Sequence, residues 1–418
     1  MSIKLRIPLF LAAVALLAVS CSDHQVSGRY VSPYAKSILT DTSSVEYRIL
    51  SAYDMQQEET GTIAVIGEPE ETLVLSEYLL GCDNFSNING SAVPDGLPDF
   101  SGEVIVPILD VANAPYKGYL NAGNEDLLSE INVRNFVAAV DSSCYLSAYD
   151  EDKIVSKTRS KMVVLSSSLA AAYGFSDVDT LARAVGGGIP VFSTVHSMLS
   201  MAMSRTGEGL NLGIWTTKSI LGAGVYSIVF PKVAADMGIK NASYEVLCPE
   251  SEGTVLDRFL EFIDRYKAVG GEGRLSSIVV DDPSVDVDSL RMAVKSVMNM
   301  EHDSFLLYKS VLADDFMVID PCSSVAAACL SYLRKSNRFT HRIAYPDVNA
   351  YVTAPCRGLG DDAYRGDGSF ADQYKFGRES NSGVVTFAVV ELKDKYMPSD
   401  LRVMMIVKTP KIFSLYVR

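Results

Sequence analysis

The sequence predicts an α/β protein whose mainly parallel sheets are flanked by helices. Apolar runs of four to six residues recur along the body of the chain, and helical patterns stand between them. A hydrophobic content of 48% and a mean hydropathy of +0.15 over 418 residues add that the chain can bury a substantial core, enough for two or three domains.

Residues 22–59 are rich in Ser, Asp and Tyr and read as a tether with a lead-in element, so that residues 21–60 precede the body. The body starts at Thr62, where Ile63 to Ile66 form a buried strand and Glu70 to Leu80 a helix. Asp83 to Glu103 holds Gly90, Pro94, Gly96, Pro98 and Gly102 and is too broken for a regular element. The further strand candidates are Val104 to Leu109, Met162 to Leu165, Ile189 to Thr194, Leu212 to Trp215, Tyr244 to Leu247, Ile278 to Val280 and Phe316 to Ile319. Between them stand helical patterns at Leu127 to Leu146, Leu169 to Tyr173, Ser197 to Ser204, Gly222 to Met237, Thr254 to Val269, Val287 to Met300 and Ser323 to Lys335. The body is thereby expected over 61–335. Residues 336–418 change character to a Gly, Asp and Tyr-rich stretch with β-rich segments around Val384 to Glu391 and Leu401 to Val407, expected as a small appended C-terminal α+β lobe.

The first twenty residues carry Lys4 and Arg6, an apolar run from Ile7 to Val19 and small Ser20 directly before Cys21. A cationic start, an apolar middle and a small-residue site define a secretory signal, and the run is about half a membrane-spanning helix. Ala18-Val19-Ser20-Cys21 resembles a bacterial lipobox, which implies a diacylated Cys21 and a membrane partner reached through that lipid. Plain cleavage and an uncleaved anchor are the competing readings. All place the bulk of the chain outside the cytoplasm, in the cell envelope, periplasmic or surface-exposed.

Without residues 1–20 the chain has 35 basic and 51 acidic residues, a net charge near −16. That balance repels polyphosphate backbones, so nucleic acid is excluded as a partner. Six cysteines follow Cys21 (Cys82, Cys144, Cys248, Cys322, Cys329 and Cys356) without a CxxC or Cys/His cluster, so no metal site is expected. An oxidising compartment could pair them, and Cys322 and Cys329 could equally be small core residues.

The order of motifs resembles the cofactor-independent aspartate/glutamate racemase family over roughly Ile63 to Leu333. Asp110-Val111-Ala112-Asn113-Ala114-Pro115-Tyr116 is similar to the family's D-x-A-x-x-P-Y-G, with Lys117 in place of the glycine. Val163-Val164-Leu165-Ser166-Ser167-Ser168 stands where V-V-A-C-N-T is found. Ile189-Pro190-Val191-Phe192-Ser193-Thr194-Val195-His196-Ser197 stands for I-P-V-I-G-V-I-E-P, and Leu212-Gly213-Ile214-Trp215-Thr216-Thr217, with Tyr226 beyond it, for I-G-V-I-G-T. Leu247-Cys248-Pro249 and Val318-Ile319-Asp320-Pro321 complete the series. The resemblance implies two pseudo-symmetric lobes with a cleft between them, and no cofactor.

The same resemblance sets out what is missing. The family is known for two cysteines facing each other across the substrate, thiols that are populated as acid and as base near neutrality. Ser166 stands at the first position, and the second falls near Asp282, within Val280-Asp281-Asp282-Pro283-Ser284. A serine hydroxyl cannot abstract a Cα proton without an activating base. The family's D-S-G-V-G-G loop is replaced at Gly67-Glu68-Pro69-Glu70, and Asp95 or Asp99 is a candidate substitute for its acid.

Candidate catalytic residues are therefore Ser166, His196 and Asp282, and candidate ligand contacts are Asp110, Pro115, Tyr116, Ser167, Ser168 and Thr217. Each has a plain structural reading beside it. Ser166 to Ser168 present hydroxyls to a carboxylate or cap a helix. His196 faces a ligand at a strand's carboxyl end or satisfies neighbouring backbone. Thr217 contacts a ligand or caps its helix, and the Asp281–Asp288 run is a base, a cation site or a solvated turn. Trp215 reads as core, and Gly186-Gly187-Gly188, lacking the lysine of a phosphate loop, as a turn. The function expected is that of a racemase-like envelope lipoprotein binding a small carboxylate, amino acid or peptidoglycan fragment. Two alternatives stand beside it: an isomerase, lyase or hydrolase with altered chemistry, or a structural lipoprotein.

Overall fold

The computed structural model describes residues 30–55, 61–205, 210–271, 273–299, 303–340, 342 and 344–416. The expected signal segment and Cys21, the expected site of lipidation, lie outside the described residues. Residues 31–418 form one unit.

Two helices, Pro33–Thr40 and Val45–Ser51, lead into the body, each capped by a serine hydroxyl, Ser32 and Ser44. The first sheet then contains β1 (Thr62–Gly67), β2 (Val104–Leu109), β3 (Ser160–Leu165) and β4 (Val191–Ser193). The second contains β5 (Leu210–Thr216), β6 (Ala242–Leu247), β7 (Leu275–Asp281) and β8 (Leu312–Ile319). Two late strands, β9 (Tyr351–Pro355) and β10 (Phe387–Glu391), return to the first sheet, whose order is β10-β9-β2-β1-β3-β4. The second sheet runs β8-β7-β5-β6. Every neighbouring pair in both sheets is parallel except β9 with β10. The fold is thus α/β, with two mainly parallel sheets.

Alternation along the strands sorts side chains between cores. Ala64 and Ile66 of β1 join the largest core cluster, and Ile63 and Val65 join another beneath the Pro321–Ser336 helix. That largest cluster also takes Leu212 and Ile214 of β5 and Val279 of β7, so the two sheets share one apolar core. Period two in a strand sends successive residues to opposite faces. The core is consequently continuous from lobe to lobe.

Several expectations are corrected in detail. The Leu127 to Leu146 helix ends at Val140, and Ser143–Cys144 instead pairs with Val155–Ser156. Leu401 to Val407, expected as β, lies in the helix Ser399–Lys408, where Leu401 and Met405, four residues apart, are its buried face. The described residues of 336–418 build no sheet of their own: β9 and β10 extend the first sheet beside β2. All six described cysteines are free thiols, with Cys329 fully buried in a core cluster. Trp215 is fully buried and stacks on Phe262 at 5.7 Å.

Candidate functional site

In parallel sheets the carboxyl ends of the strands all point one way, and the loops that follow them collect polar groups at one edge. Here the loops after β1, β2, β3 and β7 meet. Gly67 closes β1 with φ +147°, and a Cβ there would lie 2.6 Å from Ser166 Oγ. That glycine lets the ends of β1 and β3 approach. Glu68 follows it at the start of the helix Pro69–Leu79, without capping that helix by its side chain. Its carboxylate instead accepts the Tyr116 N–H at 3.0 Å and the Ser167 hydroxyl at 3.1 Å.

After β2 stands Asp110, fully buried and saturated. Oδ1 accepts from Thr353 Oγ1 at 2.7 Å and Asn113 Nδ2 at 2.6 Å, and Oδ2 from the Tyr116 hydroxyl at 2.8 Å and Asn135 Nδ2 at 2.9 Å. Burial raises its pKa against the opposing pull of these four donors. Asp110 therefore holds the loop that carries Tyr116 rather than presenting a free carboxylate to a ligand. Pro115 follows a cis peptide bond and is exposed at this edge.

The three serines after β3 divide their hydroxyls. Ser166 donates to Ile66 O at 3.1 Å and shares a 2.8 Å hydrogen bond with Thr72 Oγ1. Ser167 reaches Glu68, and Ser168 donates to Asp281 Oδ1 at 2.7 Å. The last bond joins the lobes, since Asp281 is the final residue of β7. Asp281 Oδ2 accepts the Tyr226 hydroxyl at 2.9 Å, and burial pushes its pKa up to about 6. Glu71, one turn into the Pro69–Leu79 helix, completes the group. Its Oε2 is closed to solvent and accepts no hydrogen bond. Burial, then the charges of Glu68 and Asp281, raise its pKa well above the ordinary carboxylate range, and burial raises that of Glu68 as well. Among the described residues no lysine, arginine or histidine makes an ion pair with Glu68, Glu71 or Asp281.

The candidate catalytic trio is not joined into a relay. Ser166 is held as above. Ser193 Oγ lies 2.7 Å from His196 Nδ1, and the ring stacks on Phe175 at 3.9 Å. Asp282 binds Arg258 at 3.1 Å and accepts from Trp215 Nε1 at 3.3 Å and from Ser284 N at 2.9 Å. Thr217 caps the helix Lys218–Gly222 through Ile220 N. Asp95 and Asp99, candidates for the missing acid, are loop staples. Asp95 accepts the Asn87 N–H, and Asp99 those of Asn84 and Phe85.

Glu68, Glu71 and Asp281 are the groups that the motif reading passed over. For Asp281 the signal was strand parity. Val279, in the core shared with the first lobe, sets the side on which Asp281 emerges, whereas Ile278 and Val280 point with Asp282 towards the core of Trp215 and Phe262. For Glu68 the signal was an acid directly between a strand-ending glycine and a helix-starting proline.

No family model matches the chain, and no curated protein matches it. Solved structures do. A glutamate racemase from Francisella tularensis subsp. tularensis SCHU S4, in complex with D-glutamate, is 12% identical, covers 77% of this chain and 96% of its own, and has a TM-score of 0.40. A glutamate racemase isoform from Bacillus anthracis is 14% identical over 70% of this chain and 89% of its own, at 0.41. An aspartate racemase homologue from Pyrococcus horikoshii OT3 is 14% identical over 66% and 99%, at 0.33.

Proposed function

We propose that this chain is a divergent racemase-like lipoprotein of the bacterial envelope that binds a small amino-acid-type ligand between its lobes, without two-thiol racemisation. The observation that carries the reading is the meeting of Asp281 with Ser168 and Tyr226 beside Glu68 and Glu71. Carboxylates and hydroxyls from both lobes suit an ammonium group. The Tyr116 N–H and Ser167 hydroxyl, which now hold the Glu68 carboxylate, suit a carboxylate. An amino acid carries both. Lipidation at Cys21 would hold this body at the membrane surface.

The test is a thermal-shift titration of the whole protein with D- and L-glutamate, D- and L-aspartate, other amino acids and peptidoglycan fragments. A saturable rise in Tm with at least one is expected. No rise with any ligand overturns the reading and favours a structural lipoprotein.

A second reading, an active isomerase or lyase, is favoured by Asp281. A carboxyl with a pKa near 6 gives and takes a proton close to neutrality. Ser166, His196 and Asp282 are each committed elsewhere, which makes Asp281 the better base. Exchange of a bound ligand's Cα hydrogen in deuterated water, abolished by Asp281→Asn, would establish it. Binding without exchange leaves a receptor.

A further inference from the structure

We infer that the C-terminal helices form a second membrane contact, a face that lies on a bilayer of anionic phospholipid and sets how the lipid-tethered body sits on it. The inference rests on the lipoprotein reading above and goes beyond it.

A helix packed on a protein body ordinarily turns its apolar stripe inwards and its polar side to water. Ser399–Lys408 is apolar on both sides. Leu401 and Met405 enter a core cluster with Leu73 and Leu109. Val403, Ile406 and Val407, three and four residues apart and so on one face, are 59%, 49% and 71% exposed. Leu415 on the next helix, Pro410–Tyr416, is 42% exposed. Apolar residues scattered singly over a surface are ordinary, whereas a stripe of them marks an interaction surface.

Charge identifies what the face meets. Residues 393–418 carry six basic and two acidic side chains, whereas the rest of the chain from Cys21 onwards carries 29 and 49. Basic residues are thus concentrated where the aliphatic stripe stands out. Arg402 pairs with Asp394, Lys393 with Glu391 and Lys408 with Glu70. Glu77, on the Pro69–Leu79 helix, accepts the N–H groups of Lys411 and Ile412, and Asp400 turns back on the Leu401 N–H. Lys395 and Lys411 are exposed and make no ion pair among the described residues. An aliphatic stripe beside unpaired lysines is the composition of a helix that lies in a membrane interface, its apolar side in the headgroup boundary. A second copy of the chain fits less well. It brings the same large negative charge, and a stable protein interface takes about 20–30 residues a side. Four aliphatic side chains suffice for a body that a lipid already keeps at the surface, because tethering raises the effective concentration of a weak second contact.

The test is co-sedimentation of the unlipidated chain from Ser22 onwards, which keeps the whole unit 31–418, with two kinds of vesicle. One holds phosphatidylglycerol and phosphatidylcholine in equal parts, the other phosphatidylcholine alone. Saturable binding to the mixed vesicles is expected, about tenfold tighter than to phosphatidylcholine and weaker in high salt. Val403→Ser with Val407→Ser is expected to weaken it about tenfold or more. Lys395→Gln is expected to weaken it about fivefold, and Lys411→Gln by the same factor. All four side chains are exposed, so an unchanged Tm is expected in each variant and separates lost binding from lost folding. Binding to neither vesicle overturns the inference. Binding that neither the valine nor the lysine variants weaken places the contact elsewhere and overturns it too. Equal binding to both vesicles overturns the choice of anionic lipid. Self-association lost in the valine variant, without vesicle binding, gives the face to a second copy and overturns the inference. Incorporation of labelled fatty acid at Cys21 reports separately on the lipoprotein reading, so either can fail while the other stands.

Discussion

Ser168, at the start of a first-lobe helix, donates its hydroxyl across the interface to Asp281 at the end of a second-lobe strand, 2.7 Å away. The contact puts a carboxyl with a pKa near 6 at the seam between two sheets that share a core. An acid whose folded pKa lies above its unfolded value, here 3.8, is more protonated in the folded state between those limits. Folding then binds protons, so stability falls as pH rises from about 4 to about 6 and stays at the lower level above that. Glu68 and Glu71, also raised by burial, act in the same direction. Urea midpoints are expected to rise on acidification from pH 7 to 5. Asp281→Asn should flatten that slope and be no less stable than wild type at pH 7. An unchanged slope in the variant would sink the assignment.

How much of this site was legible follows from particular residues. The strands β1, β2, β3, β5 and β7 were readable because each is an apolar run followed by a polar residue. Ser167, Ser168 and Tyr116 do gather at the edge. Asp282 was favoured over Asp281 because a motif position was followed rather than the two-residue period of the strand, which turns Asp282 towards Arg258. Glu71 was not legible at all. Its raised pKa draws in part on the charge of Asp281, 210 residues away, and no local pattern carries that. Residues 401–407 read as β because Val403, Ile406 and Val407 are β-formers, yet Leu401 and Met405 needed the helical period to reach the core.

Asp110 supplies a second prediction. All four of its donors converge on a carboxylate with no exposed surface, and Asp110→Asn replaces one acceptor oxygen by an amide that faces donors. Loss of stability is expected at about 2–4 kcal/mol, the scale of hydrogen bonds to a buried charge together with a donor left unpaired. Chemical denaturation measures it. A change below 0.5 kcal/mol, taken as roughly the size of a surface substitution, would show that Asp110 does not anchor the Tyr116 loop.

Lys161 on β3 and Glu103 before β2 form an ion pair almost closed to solvent, 2.8 Å long, and Lys161 also donates to Arg338 O at 2.6 Å. Removing one partner strands a buried charge. Lys161→Met alone should cost about 3–5 kcal/mol, whereas Lys161→Met with Glu103→Leu should recover much of it. Equal losses in the single and double variants would mean that the pair's geometry, not its charge balance, is what matters.

Gly67 and Ser166 form the last test, because they must be changed together to be understood. Gly67→Ala adds a Cβ 2.6 Å from Ser166 Oγ at φ +147°, a backbone region open almost only to glycine. The backbone penalty is about 1–3 kcal/mol, and the overlap adds to it. Ser166→Ala removes the overlapping oxygen but also the bonds to Ile66 O and Thr72, about 1 kcal/mol net. If contact between these two residues sets the approach of β1 to β3, the double variant is less destabilised than the sum of the singles. The difference is expected at about 0.5–3 kcal/mol, the usual coupling of residues in contact. The backbone term survives in both Gly67 variants, so the double variant still falls short of Ser166→Ala. Urea denaturation of the four proteins gives the cycle. Strict additivity would show that the loop after β1 yields to the new methyl group, and that the position of Glu68 does not depend on Gly67.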